Sequence, residues 1–323
     1  MLRLFRAFAL LLLVAAAPAA DNPYAALRDV DARLARIAYR LVTANAALCR
    51  EQQPATGLVL HAEDQYPHDA AVKAAFGFPA PVAVELVVAG SPAAAAGIVA
   101  NEGVAAIAGA PVAAPGRATN TSVTRDAALA QLAGAPADKP LTLTIVGVNG
   151  ARRDVTLPVH PGCRGDFEIL ATSKLGASSD GRVVQVGAPL MAKFDRDEDI
   201  AVVVGHELSH TILRHRARLE AAGVTWGLLA QFGRNARLFR ETESEADALG
   251  AILIRNAGWD PEEAVRFWRT QGSKIDGGMF HSRTHPGSGD RAKAIAVVLA
   301  TVPKDAPVPY VPPMLAQRDA ALY

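Results

Sequence analysis

The chain has 323 residues, half of them hydrophobic and a fifth charged, and 33 basic against 32 acidic side chains leave a formal net charge of +1. Apolar content on this scale excludes a disordered chain, and the absence of a basic surplus excludes a nucleic-acid binder. The length accommodates two modest domains at roughly 100–200 residues each.

Residues 1–20 read as a secretory signal: Arg3 and Arg6 form a positive start, Phe8 to Ala17 an apolar run, and Ala17-Pro18-Ala19-Ala20 a small-residue cleavage site. The rival reading, a retained membrane anchor, suits the brevity of the run less well. No cysteine directly follows the run, which argues against a lipid-modified start, and removal of the two arginines turns the charge from +1 to −1. No later window is apolar enough to span a bilayer, so a soluble, exported, periplasmic mature chain is expected, with no transmembrane helix. In that oxidising compartment Cys49 and Cys163 are candidates for a disulfide.

Asp21 to Arg50 carries Leu27, Val30, Leu34, Ile37 and Leu41 at helical spacing, and Gly57 to His61 reads as a short strand. From there to Val159 short apolar runs alternate with Gly and Pro. Val82 to Val88 reads as a strand, Thr124 to Leu132 as a helix, and Leu141–Ile145 with Asp154–Leu157 as a hairpin around Asn149-Gly150. The Ser91-Pro92-Ala93 to Ala96-Gly97-Ile98 string, with Val104, Ile107 and Gly109, resembles the middle of a PDZ domain of the bacterial protease type. Asn101-Glu102 departs from that pattern. Phe76-Gly77-Phe78 is the candidate peptide-binding loop, although Pro79 and Pro81 would interrupt the backbone edge beside it.

Arg182 to Val186 reads as another strand. Asp197-Glu198-Asp199 then opens an apolar run, Ile200 to Val204, that leads into His206-Glu207-Leu208-Ser209-His210, and Arg214, His215, Arg216 and Arg218 follow. Acidic residues at the start and basic ones at the end suit the dipole of one helix over about 197–218. On it His206 and His210 are one turn apart and both imidazoles can reach one metal ion, while Glu207 lies within reach of the attacking water. A second helix, about Ala236 to Asn256, places Glu243 and Asp247 four residues apart on one face, as a ligand and its supporting carboxylate would be. Gly258 ends it, and Asp260-Pro261 begins another.

The series His-Glu-Leu-Ser-His, Glu243-Ser-Glu-Ala-Asp247, Thr284-His285-Pro286 and Arg291 resembles metallopeptidase family forty-eight, which contains the CAAX prenyl protease and bacterial heat-shock and periplasmic zinc proteases. The resemblance spans roughly residues 165–300. It implies an α+β fold, with a mainly helical zincin (gluzincin) catalytic domain, a small sheet and the β-rich PDZ-like module. It also implies one Zn(2+) per chain held by His206, His210 and Glu243, with Asp247 behind the ligands. The catalytic residues it implies are Glu207, His285 and Arg291. His285 could stabilise an oxyanion, block the metal in a latent form, or cap the following helix, and Arg291 could serve the site or a structural ion pair. Glu245 is read as solvent-facing or as a salt-bridge partner, and His215 receives no role. Ala177 to Gly181 departs from the family's usual start before the cleft strand.

The expected organisation is a signal over 1–20, an N-terminal helix and strand over 21–60 packing on the protease domain, a PDZ-like domain over 61–162, and a metallopeptidase domain over 163–323. In an inserted arrangement Cys49 and Cys163 would clamp the base of the module. The expected function is exported zinc-dependent endopeptidase in quality control of the cell envelope. Its partners would be polypeptide substrates, misfolded or envelope proteins, with association with membrane-protein assembly machinery and no nucleic acid. The alternative is a latent or non-proteolytic, chaperone-like binding factor acting through the PDZ-like module.

Overall fold

A computed structural model describes residues 23–116, 118–224, 233–275 and 286–322. The signal at 1–20 and the candidate His285 lie outside the described residues. In chain order the elements are α1 (Pro23–Ala44), β1 (Gln52–Pro54), β2 (Leu58–Ala62), α2 (Ala70–Phe76), β3 (Val82–Val87), α3 (Pro92–Ala95), β4 (Gly103–Ile107), β5 (Ala110–Pro111), α4 (Val123–Ala133), β6 (Leu141–Val146), β7 (Arg152–Leu157) and β8 (Pro161–Cys163). The C-terminal half adds β9 (Asp166–Leu170), β10 (Ala177–Ser179), β11 (Val183–Gly187), α5 (Ala188–Lys193), α6 (Asp197–Ile212), α7 (His215–Ala221), α8 (Gly233–Asn256), α9 (Glu262–Thr270) and α10 (Ser288–Ala300). Helices pack against largely antiparallel sheets that are not built from alternating strand–helix repeats, an α+β arrangement.

Among the described residues two large hydrophobic cores divide the chain, beside a smaller cluster of Leu219, Val224, Leu238 and Leu322. One gathers Leu60, Val82, Val84, Ile107, Leu143, Ile145 and Leu157 from the sheet ordered β2-β3-β4-β6-β7, with β5 paired to β4, and closes it with Ala128 and Leu132 of α4. The other joins Leu34, Ile37 and Leu41 of α1 to Val184 and Val186 of β11, Ile200 to Val204 and Leu208 of α6, Leu249 to Leu253 of α8 and Phe267 of α9. The N-terminal helix therefore packs in the core of the C-terminal half, and the sheet unit is inserted between them. Because β2 pairs with β3 from Leu58 to Ala62, the expected boundary at residues 60/61 falls inside a strand, and the sheet unit begins at Leu58. At its base β1 and β8 pair with Gln52 opposite Cys163, and Cys49 and Cys163 are disulfide-bonded with their Cα atoms 5.3 Å apart.

The β-branched run Ile200–Val204 would pass for a strand, yet it forms the middle of α6 and is buried all round. An all-round apolar helix is stable only at the centre of a core, and α1, α8, α9 and the β9–β11 sheet enclose it here. Its acidic first turn is anchored by Arg33, which donates to Asp197 at 2.8 Å, and by Arg266 on Asp199. The single helix expected over 197–218 is in fact two. Arg214 takes a left-handed conformation, φ 55° and ψ 36°, and α7 starts afresh at His215.

Candidate metal centre

Helices α6 and α8 cross at two glycines. A Cβ on Gly250 would stand 3.0 Å from the His206 backbone nitrogen, and one on Gly205 3.3 Å from the Gly250 carbonyl oxygen. Backbone contact at this point brings Glu243, nearly two turns before Gly250, over the imidazoles of α6. His206 Nε2 lies 3.2 Å from His210 Nε2 and 3.3 Å from Glu243 Oε2, and His210 Nε2 lies 3.5 Å from Glu243 Oε1. One ligand atom from each of His206, His210 and Glu243 falls within 4.8 Å of the other two, a grouping that can hold a metal ion. A mixed set of two imidazole nitrogens and a carboxylate is a transition-metal set rather than a calcium or magnesium one.

Each ring is held from behind. His206 Nδ1 sits 3.0 Å from Asp247 Oδ1, and Asp247 is gripped by Arg291 through Nε to Oδ2 and Nη2 to Oδ1, both 2.6 Å. The Arg291 guanidinium also stacks over Trp268, 3.3 Å from the ring centroid. Arg291, expected at the metal and substrate, thus commits two donors to Asp247 on the side of His206 away from His210 while still bordering the cleft. Burial, the largest influence on His206, works against its charged form, but Asp247 and Glu243 override it and raise its pKa to about 10. Burial holds His210 neutral, well below the usual imidazole range. Burial would raise Asp247, but Arg291 and then His206 keep it below its ordinary value.

The cleft over this site has a volume of about 770 Å³. Its floor carries His206, Glu207, His210 and Glu243, and β10 forms one wall. β10 pairs antiparallel with β11, which pairs parallel with β9, so β10 is an edge strand, and Ser179 Oγ ties it to Thr211 of α6 at 3.0 Å. Glu207, one residue past His206, is buried at the cleft floor.

The other expected loop lies elsewhere. Phe76 is buried against the rings of His61, Tyr66 and Tyr24, with centroids 4.7, 4.9 and 5.1 Å away. The strand that follows Phe76-Gly77-Phe78, β3, pairs with β2 along its length and with β4 at Val82 and Ala83, and Val84 bonds to Glu102 and Asn101. Addition of a peptide strand needs an open edge, and on this side of the sheet that edge belongs to β2, not to the strand beside the expected loop.

Two residues that sequence reading left without a site role belong here. His215 Nδ1 is 2.8 Å from His210 Nδ1, and Glu245 joins His215 to Arg218. The signal for His215 was hidden, because on an unbroken helix it would point away from His210. Gly205 and Gly250 were likewise unremarked, since only the crossing gives them meaning.

This donor set, on two helices with a glutamate following the first histidine, is compatible with metal-dependent hydrolysis. The chain matches the family model for Peptidase family M48 over residues 174–298. It is 32% identical over 138 residues to the mitochondrial metalloendopeptidase OMA1 of Arabidopsis thaliana, covering 36% of this chain and 27% of that protein. It is 30% identical over 155 residues to the metalloprotease YcaL of Escherichia coli (strain K12), covering 40% of this chain and 60% of that protein. A third relative is OMA1 of Schizosaccharomyces pombe, 26% identical over 120 residues, 31% of this chain and 36% of that protein. The matches thus span about a quarter to three-fifths of these relatives' lengths. Among the described residues no helix is long and apolar enough to cross a membrane.

Proposed function

We propose that the chain is an exported, periplasmic zinc-dependent endopeptidase of the gluzincin type that acts on misfolded or envelope polypeptides. The observation that carries this reading is the convergence of His206, His210 and Glu243 within 4.8 Å beside Glu207 on the floor of an open cleft. Two imidazoles, one carboxylate and room for substrate suit catalytic zinc. When bound, zinc supplies a Lewis acid that polarises the scissile carbonyl and acidifies the attacking water.

The protein's own residues do the rest. Glu207 takes the proton from the water as its oxygen attacks the carbonyl carbon, and then delivers that proton to the departing amine nitrogen as the C–N bond breaks. The outer edge of β10 offers backbone groups to an extended substrate chain, which holds the scissile bond over the cleft floor. Asp247 and Arg291 orient His206. His285, by its place in the family pattern, donates to the oxyanion. The inserted sheet unit is a PDZ-like module that influences access or substrate choice, and association with membrane-protein assembly machinery would bring it to envelope substrates.

Casein hydrolysis by the purified mature chain and its Glu207→Gln variant, with zinc content measured on both, tests the reading. Glu207→Gln should keep one zinc per chain and lose activity by on the order of 10²–10⁴. Equal activity in the two proteins would overturn it.

A further inference from the structure

His210 has two ring nitrogens with different neighbours. Nε2 faces His206 and Glu243, whereas Nδ1 lies 2.8 Å from Nδ1 of His215. His215 is only 1% exposed, and its own Nε2 is 2.9 Å from Glu245 Oε2. Glu245 accepts from Arg218 Nη1 at 2.6 Å and Nη2 at 3.3 Å, and Arg218 Nε donates to the Ala320 carbonyl at 3.0 Å.

Two imidazole nitrogens can share a hydrogen bond only if one carries the proton and the other a lone pair. Where His210 offers the Nε2 lone pair to a metal, its proton resides on Nδ1, and His215 Nδ1 must accept it. The His215 proton then sits on Nε2 and donates to the Glu245 carboxylate, which Arg218 holds in place. In that arrangement every donor meets an acceptor and both rings are neutral.

We infer that His215, held by Glu245 and Arg218, is the positioning residue of His210, fixing the tautomer and ring orientation with which that ligand meets the metal. The inference rests on the ligand assignment proposed above. It gives His210 what Asp247 and Arg291 give His206, with one imidazole inserted to bridge a longer gap. The backbone supports it. On a continuous helix residues 210 and 215 would be separated by roughly 140° around the axis and could not touch. The left-handed Arg214 turns α7 back so that they do. A non-glycine residue in that conformation persists only where its surroundings enforce it.

Zinc affinity, measured by competition with a chromophoric chelator on the full mature chain, tests the inference. His210→Ala should lose stoichiometric zinc. His215→Leu, which removes the acceptor, should bind zinc about 10–100-fold more weakly, as loss of a partner behind a metal ligand typically does. His215→Asn, whose carboxamide oxygen can still accept from Nδ1, should recover most of that loss. Glu245→Gln, on a partly exposed side chain, should weaken binding in the same direction and serves if His215→Leu does not fold. The rise in thermal midpoint on adding zinc to the stripped protein should shrink in parallel, which a purely structural role would not cause. His215→Leu or Glu245→Gln with wild-type zinc affinity, beside a His210→Ala that has lost its zinc, would overturn the inference and leave the proposed function standing. Zinc retained by His210→Ala would overturn the ligand assignment itself, and this inference with it.

Discussion

Arg291 and Asp247 form a two-point pair, Nε to Oδ2 and Nη2 to Oδ1 at 2.6 Å each, that fastens α10 to α8 directly behind His206. Their side chains are 5% and 3% exposed, so neither charge has water to fall back on. Removing one partner of such a buried pair costs roughly 3–5 kcal/mol because it strands the other.

Asp247→Asn keeps an acceptor for His206 but removes the charge that Arg291 faces. It should lower stability by a few kcal/mol, within the roughly 3–5 kcal/mol of a broken buried pair. It should also weaken metal binding about 10–100-fold. Urea unfolding and chelator competition on the same protein would check both effects.

At the crossing of α6 and α8 there is no space for a side chain. Gly250→Leu should destabilise the fold by about 1–3 kcal/mol as an overpacked core position. It should also pull Glu243 away from the two imidazoles. Loss of zinc affinity alongside a lowered thermal midpoint is the expected result, whereas wild-type affinity would mean that the helices do not approach at Gly250.

The Cys49–Cys163 bond closes a separation of 114 residues. By the chain-entropy argument a loop of that size is worth about 4–5 kcal/mol. Reduction, or Cys49→Ser with Cys163→Ser, should therefore lower the urea midpoint markedly while leaving the proposed metal ligands, on other elements, intact.

Glu85 of β3 and Asp31 of α1 are hydrogen-bonded carboxyl groups beside a cavity of about 430 Å³ between the sheet unit and α1. Burial, followed by the charge and hydrogen bond of Asp31, raises Glu85 to about 8, against the opposing pull of Arg28 and Arg125. The folded chain then keeps a proton that the unfolded chain loses above its ordinary value of 4.5, so this group's contribution falls as pH rises from about 4.5 to about 8. Glu85→Gln should gain stability relative to wild type progressively over that range. Urea midpoints at pH 5, 6.5 and 8 would show it, and a constant difference between the two proteins would refute it.

Much of the metal centre was readable because its spacing is local. Residues four apart on a helix share a face whatever the helix packs against, so His206 with His210 and Glu243 with Asp247 could be paired from the chain alone. Arg214 carried no such mark, with no glycine or proline beside it, and the expected helix ran through the break. His215 has no visible role on such a helix for that reason, whereas Glu245, read as solvent-facing or as a salt-bridge partner, pairs with Arg218 and His215. The loop at Phe76 is a different case. Whether a strand has a free edge depends on its neighbours in the sheet, and β4 arrives from twenty residues further on.

By itself the sequence determined the near-neutral charge, the separation of the two cysteines, the acidic opening of α6 and the helix face shared by His206 with His210 and by Glu243 with Asp247. Those properties follow from composition and from a helical repeat of 3.6 residues. Tertiary structure alone decided that the two helices bearing the candidate ligands meet glycine to glycine, that α1 completes a core begun after residue 163, and that His215 turns back onto His210. Each depends on contacts between residues distant in the chain or on one backbone reversal, and no local periodicity encodes either.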